Sequence, residues 1–380
     1  MKWIQRCLLL SLFLTAVLSA ADLPRKETAA PGKLKVGLFV GKGARGGGVF
    51  HWARLMAYSP GITLSFLDGA DIRNGKLAGV DVLIIPGGSS EHEYLEIQES
   101  GGEKIREFVR NGGKYVGICA GFHCSLNHKK RFRLLPYRYY RPAVGRSAVV
   151  AVEFTKAGAE RLGIKPGGLR WVTYASGPIA QPDPKGPEAQ VEELAFYRSS
   201  VTRVDNSKNS FSGFPGALFG RVGKGLVMVT SFHPEYRECN DDISMGMIYA
   251  VSGLKTAPVY PRKNRRPLRV VMYVSAIAGK EPVRRMFELD KHPDIDVVFA
   301  NKSMIGEGVL RHCDVFFVPD GEDDWFASFY KASGKRIRTF EKNGGVILVS
   351  GKGEAEILKE HKKVIFVSEN ISAAEAALKR

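Results

Sequence analysis

The sequence predicts an α/β fold: a doubly wound, mostly parallel sheet, followed by a smaller, degenerate α/β repeat. Three observations carry this. Short apolar strands alternate with helical stretches from residue 34 onward, the pattern of a parallel sheet covered on both faces. Glycine-rich turns follow strands and close helices, as at Pro86-Gly87-Gly88 and Gly112-Gly113. The same order of strand, helix and Asn-Gly-Gly turn then returns after residue 267.

Residues 35–40 read as the first strand, followed by a glycine-rich loop and a helix over 49–57. Strands follow at 62–67 and at 80–85, the latter running into Pro86-Gly87-Gly88. An amphipathic helix over 103–111 ends at Gly112-Gly113, and 115–118 is a fourth apolar strand. Strand-like stretches recur around 148–154, 170–174, 192–197, 216–221 and 226–231, and a helix is expected over 242–252. Residues 256–267 are basic and proline-rich, a linker. Beyond it Cys313-Asp314-Val315 echoes Val80-Asp81-Val82, and Asn343-Gly344-Gly345 echoes Asn111-Gly112-Gly113. Aligning these turns puts Gly351 where Cys119 stands. The repeat, 268–380, therefore reads as structural or binding, without a nucleophile and without a counterpart of His233.

The first 21 residues read as a secretory signal. Lys2 and Arg6 precede an apolar run, and Ser19-Ala20-Ala21 supplies small residues for cleavage. The run is too short and wrongly flanked for a spanning helix, and Cys7 lies inside it rather than after a cleavage site, against a lipid anchor. Residues 22–33 are a linker, so the main domain is placed at 34–255. The protein is expected in the periplasm or secreted, with no stable membrane anchor and no nucleic-acid partner. The formal net charge is +17, and loss of Lys2 and Arg6 leaves +15, which favours anionic small-molecule or polymeric partners. Four cysteines remain, Cys119, Cys124, Cys239 and Cys313, too few for a disulfide framework in a chain of this size.

The candidate chemistry centres on Gly117-Ile118-Cys119-Ala120-Gly121, directly after an apolar strand and before a helix. A sharp strand-to-helix turn exposes a nucleophile at the carboxyl edge of the sheet, needs small neighbours, and aims a helix N-terminus at the sulfur. The Ala120 amide and an amide of the Gly87-Gly88 turn are the candidate oxyanion donors. Ser231-Phe232-His233-Pro234-Glu235 follows another strand. A thiol nucleophile needs a base, and the imidazole needs a carboxylate to fix its tautomer, so His233 and Glu235 complete the set.

The order Pro86-Gly87-Gly88, Gly117-Ile118-Cys119-Ala120-Gly121 and His233-Pro234-Glu235 resembles class I glutamine amidotransferase-like domains, which are flavodoxin-like. The resemblance is greatest to the biotin–protein ligase N-terminal-like subgroup, supported by Tyr174-Ala175-Ser176-Gly177-Pro178 and Gly223-Lys224-Gly225-Leu226-Val227. It covers residues 34–253. It implies Cys119 as nucleophile, His233 as base, Glu235 as its orienting acid, and Gly88 and Ala120 at the oxyanion hole. It brings no activity with it, since neither a synthetase domain nor a ligase catalytic domain accompanies the motifs.

Other readings compete for neighbouring residues. Gly41-Lys42-Gly43-Ala44-Arg45-Gly46 matches a dinucleotide fingerprint, with Asp68 placed for a ribose. The additional Gly47 and Gly48 read instead as a flexible loop at the rim of the active site. Gly43, Arg45, Phe122 and His123 are candidate rim residues. The run from Lys129 to Arg146, with Arg131, Arg133, Arg138 and Arg141 among Phe132, Tyr137, Tyr139 and Tyr140, is either an electropositive rim or solvated surface. His123, Cys124 and His128 lack standard metal-ligand spacing, and no metal or other cofactor is expected. Cys124 reads as buried, with a protective disulfide to Cys119 as the sharper alternative.

Three functions follow: a Cys-His-Glu thiol hydrolase or amidase acting on C–N bonds, a non-catalytic binding module for an anionic ligand, and a nucleotide-cofactor-binding protein.

Overall fold

A computed structural model describes residues 33–141, 147–201, 211–236, 240–274, 279–320 and 323–366. The signal segment 1–21, the linker 22–33 apart from Lys33, and Cys239 and Arg146 lie outside the described residues. Two compact units divide the chain, one ending at Val259 and the other resuming at Tyr260.

In the first unit, β1 (Leu34–Phe39), β2 (Ile62–Leu67), β3 (Val82–Ile85) and β4 (Lys114–Ile118) alternate with α1 (Gly46–Tyr58), α2 (Gly69–Arg73) and α3 (Ser90–Arg110). A short helix α4 (Ala120–Ser125) follows β4. Next come β5 (Tyr137–Arg141), β6 (Ser147–Phe154), α5 (Lys156–Leu162), β7 (Leu169–Ala175), β8 (Ile179–Pro182), β9 (Gln190–Tyr197), β10 (Pro215–Val222), β11 (Gly225–Thr230) and α6 (Asp241–Ser252). Nine of these strands form one sheet in the order β2-β1-β3-β4-β11-β10-β9-β6-β7, while β5 and β8 pair as a separate ribbon.

The sheet has two halves. From β2 to β11 every pairing is parallel, as the alternation of strand and helix implies. From β11 to β7 every pairing is antiparallel. The parallel strands are buried along their length: all of Val82–Ile85 is inside, as are Val36, Leu38 and Phe39. Helix α1 turns Val49, Phe50, Trp52, Ala53, Leu55 and Met56 into that core.

Two helices start earlier than the apolar pattern alone suggests. The glycines at 46–48 are the first turn of α1, not a flexible loop. Helix α3 opens at Ser90, capped by Ser89, and is interrupted at Gln98, whose φ is 64°. The amphipathic stretch expected over 103–111 is only its second part.

The second unit contains β12 (Leu268–Tyr273), α7 (Lys280–Lys291), β13 (Ile295–Ala300), α8 (Lys302–Glu307), β14 (Val315–Val318), α9 (Asp323–Lys342), β15 (Val346–Val349), α10 (Lys352–Ile357) and β16 (Val364–Phe366). Its strands are all parallel, in the order β13-β12-β14-β15-β16. The order β13-β12-β14-β15 repeats β2-β1-β3-β4 of the first unit.

The duplication extends to single bonds. The Asp81 carboxylate accepts from the Lys35 amide at 2.8 Å, and Asp314 accepts from the Arg269 amide at 3.0 Å. In both units the same aspartate's own amide returns a bond to the strand it staples. A Cβ on Gly113 would stand 2.4 Å from the Phe108 ring, and one on Gly345 would stand 2.3 Å from the Phe340 ring. Each Asn-Gly-Gly turn thus needs its second glycine because the preceding helix lays a phenyl ring across it.

Candidate active site

The first chemical residue sits on a strained elbow. Cys119 has φ 50° and ψ −97°, a conformation that non-glycine residues adopt at a cost of about 1–3 kcal/mol. The surroundings hold it there. Its amide donates to Thr230 O on β11 at 2.8 Å, and its carbonyl accepts from the His123 amide at 3.0 Å. Both flanking glycines are required by contact: a Cβ on Gly121 would lie 2.1 Å from Ile85 O, and one on Gly117 would lie 2.7 Å from the Gly121 backbone. The Gly-x-Cys-x-Gly spacing is therefore the footprint of β4 and α4 folding back on β3. Helix α4 is only six residues long, so its field at the sulfur is weaker than the sequence pattern suggests.

His233 reaches the same edge of the sheet from β11. Its amide donates to Thr173 O on β7 at 2.8 Å, which fixes the backbone where the antiparallel half of the sheet ends. Nδ1 of His233 and Oε1 of Glu235 are 2.8 Å apart, and both side chains are buried. Nδ1 is thereby engaged, leaving Nε2 for the thiol. Burial alone would drive the imidazole toward its neutral form. The negative charges of Cys119 and Glu235, with their hydrogen bonds, hold its pKa well above the usual histidine range. The Cys119 Sγ also lies 3.6 Å from Ala175 O, at the end of β7.

Two close contacts on the imidazole and one on Glu235 complete the arrangement. Tyr236 stacks on the His233 ring with centroids 4.4 Å apart and planes 4° from parallel. A Cβ on Gly87 would stand 2.3 Å from His233 Cε1. Gly48, in the first turn of α1, brings its Cα side to Glu235, where a Cβ would be 3.0 Å from Oε1. The free amides of a helix's first turn favour a carboxylate there. Glu235 Oε2 is buried without a hydrogen-bond partner among the described residues.

The turn after β3 meets the loop after β1. The Arg45 amide donates to Gly87 O at 2.9 Å and the Ser89 amide to Gly43 O at 2.8 Å. A Cβ on Gly88 would lie 1.8 Å from Gly43 O. The glycines of both loops are thus explained by a backbone crossing. Gly87 additionally admits the histidine, and Ala120 follows the nucleophile as the first residue of α4, where its amide has no intrahelical acceptor.

Of the expected rim residues, only Arg45 is exposed at its place. Phe122 is fully buried in the core. Gly43 is pinned in the crossing at φ 97°. His123 stacks on Tyr139 at 4.9 Å, and its Nδ1 lies 2.9 Å from Ser90 Oγ. Burial, with Arg131 and His128 nearby, pushes His123 down to about 3, so it stays neutral.

The basic run is not an open rim across its described part. Arg131 donates to Ser90 Oγ, Arg133 pairs with Glu99 at 3.0 Å, and Arg138 faces Gln181 across the β5–β8 ribbon. Phe132 and Tyr137 are buried anchors, while Tyr139 and Tyr140 are exposed.

The dinucleotide reading is overturned. The space above the Gly41-x-Gly43 turn is taken by the Glu96 carboxylate, which accepts from the Lys42 amide and, at 3.0 Å, from the Gly69 amide. A Cβ on Gly41 would be 2.3 Å from Glu96 Oε1. Asp68 is a helix cap, accepting from the Asp71 amide at 2.8 Å while Asp71 returns the bond. A protein carboxylate sits where a pyrophosphate would have to bind, and the acid expected at the ribose is already used.

His123, Cys124 and His128 do not converge. Cys124 Sγ lies 3.6 Å from both Ser90 O and Glu93 Oε2, and His128 Nδ1 accepts from the Lys130 amide. Among the described residues no group of three or more His, Cys, Asp or Glu side chains is arranged to hold a metal. Cys119 and Cys124 are both free thiols.

Comparison with known proteins meets this geometry at the elbow. Residues 77–129 match the family described as Biotin-protein ligase, N terminal. That stretch holds both the Pro86-Gly87-Gly88 turn and Cys119. It agrees with the resemblance to class I glutamine amidotransferase-like domains that the motifs carry. An uncharacterised protein from Chlamydia muridarum is 25% identical over 169 residues, which cover 41% of this chain and 60% of that protein. Among solved structures, a beta-galactosidase from Bacillus circulans sp. alkalophilus shares 13% identity at a TM-score of 0.38, over 61% of this chain and 32% of its own. The glutaminase domain of Trypanosoma brucei CTPS, solved with bound acivicin, shares 15% identity at a TM-score of 0.36, over 59% of this chain and 95% of that domain. Less than two thirds of the first two proteins' length is therefore represented here. No described helix is long and apolar enough to cross a membrane.

Proposed function

We propose that the first unit is a cysteine-dependent hydrolase of the amidase type, acting on a C–N bond in an anionic substrate outside the cytoplasm. The observation that carries the reading is the buried Cys119–His233–Glu235 arrangement, in which Glu235 engages Nδ1 at 2.8 Å and Cys119 and Glu235 together raise the imidazole's pKa. A strained elbow, two close glycines and a stacked tyrosine are a large structural investment for a histidine that only fills space.

In the reaction, the Cys119 sulfur adds to the carbonyl carbon of the amide, and the negative charge on oxygen is met by backbone amides at Ala120 and the Gly87-Gly88 turn. The C–N bond breaks as the His233 imidazolium gives its proton to the leaving amine. Water then attacks the thioester, His233 takes the proton from that water, and the carboxylic acid product leaves with the thiol restored. Glu235 holds the imidazole in one orientation throughout and does not transfer a proton itself.

The low exposure of Cys119, at 5%, favours a second reading: a binding module that keeps the fold without turnover. Iodoacetamide separates the two. A catalytic Cys119 in the native protein is alkylated at least about tenfold faster than Cys124, and His233→Ala removes that advantage while leaving the circular dichroism unchanged. Labelling of Cys119 only after denaturation would sink the hydrolase.

A further inference from the structure

The internal repeat allows one part of the second unit to be compared with its own counterpart. Both units have a groove at the amino-terminal edge of the sheet, between the turn entering the third strand and the end of the long helix. In the first unit it measures about 450 Å³ and reaches from Gly75 to the Asn111-Gly112-Gly113 turn. In the second it measures about 630 Å³ and reaches from Gly308 to Asn343 and Gly345. Each lies at the opposite edge of its sheet from Cys119 or Gly351.

The geometry repeats, but the charge does not. The first groove is balanced, with Lys104 and Lys114 against Asp81 and Glu107. The second is lined by Arg311, Lys335 and Arg336 and by no carboxylate. The nearby acids are committed elsewhere: Asp314 to the Arg269 amide at 3.0 Å and Glu341 to His361 at 2.8 Å. The three cations form no ion pair among the described residues. A groove that the fold produces twice has therefore become cationic in the copy that has no nucleophile.

We propose that the second unit's groove binds a uronic-acid polysaccharide. The two guanidinium forks suit carboxylates bidentately, and the exposed neutral groups that also line the groove, Thr339 and Asn343, suit sugar hydroxyls. The three cations are exposed, so one small anion would be held only weakly against screening. A polymer presents several carboxylates at once and gains from multivalency. Hydroxyl and amide groups in the same lining as the cations favour a charged sugar chain over a bare polyanion. This role is independent of whether Cys119 is catalytic.

The test uses the full chain and two double variants of equal charge change, Arg311→Glu/Arg336→Glu in this groove and Lys104→Glu/Lys114→Glu in its counterpart. Binding to polygalacturonate is measured at low salt, with inorganic polyphosphate as the anion without sugar hydroxyls. The first variant should lose affinity by about tenfold or more, and the second by no more than about twofold. Arg311→Gln/Arg336→Gln should show the same loss more mildly, which guards against misfolding of the charge-reversed protein. Equal losses in both grooves would reduce the effect to net charge and overturn the site. No binding by the unaltered protein, or tighter binding of polyphosphate through the same arginines, would overturn the uronate assignment.

Discussion

At the scale of the residue, the candidate site depends on what is missing as much as on what is present. Gly87 stands so close to His233 that a methyl group would meet the ring at 2.3 Å. Gly87→Ala must therefore move the imidazole, and Cys119 alkylation should fall by roughly tenfold or more with little change in secondary structure. Unchanged alkylation would mean that His233 does not assist the thiol. Glu93 shows a different constraint. It is fully buried beside Cys124, its Oε1 has no partner among the described residues, and burial pushes its carboxyl up to about 8. An unfolded chain releases that proton near the usual glutamate value, so the folded state binds the extra proton between there and about 8. Stability from this group is complete below the unfolded value and is lost as pH rises through the folded one. Glu93→Gln should match the parent at pH 4.5 and exceed it by a few kcal/mol at pH 8 in urea unfolding. Parallel stability curves for the two proteins would show that Glu93 is ionised in the fold.

At the scale of the element, loops are fixed by groups that arrive from far along the chain. The loop after β1 is held by the crossing with the β3 turn and by the Glu96 carboxylate from α3. Glu96→Ala leaves the Lys42 and Gly69 amides without their acceptor and should cost on the order of 2 kcal/mol in chemical denaturation. A cost near zero would mean that water replaces the carboxylate without loss. This element also shows why a motif alone misleads. Gly-x-Gly-x-x-Gly records that a backbone turns tightly and something approaches it closely; it does not record what approaches. Here that is a glutamate more than fifty residues away. The same holds for Gly48, where a Cβ would press on Glu235 Oε1 at 3.0 Å.

At the scale of the whole molecule, one sheet plan is used twice with different outcomes. The Asp81 and Asp314 staples, the phenyl-covered glycines and the shared strand order are the conserved part of the duplication. At the nucleophile position the second unit has Gly351, and a Cβ there would meet Glu354 Oε2 at 1.7 Å, so no cysteine side chain fits without rearrangement. The proposed export also concerns the whole chain. In a bacterial host the protein recovered outside the cytoplasm should have a mass lacking residues 1–21, and replacing Leu10 and Leu12 by Lys should retain the full-length form inside. A full-length mass in the exported fraction would rule out cleavage there.

The sequence by itself determined the alternation of strands and helices in the parallel half, the repeat, and three candidate residues on two short motifs. These are local signals: periodicity, turn glycines and spacing within five residues. Only the tertiary structure decided that His233 contacts Glu235 and Cys119, that Tyr236 and Gly87 hold the ring, that Phe122 is core, and that Glu96 fills the glycine loop. It also decided that the sheet continues as four antiparallel pairings beyond β11. Each of those facts depends on groups brought together across the sheet or around a turn, and on the side a side chain faces. The pattern of residues along a chain specifies which surfaces must be buried, whereas the partner that buries them is chosen when the strands take their places in the sheet.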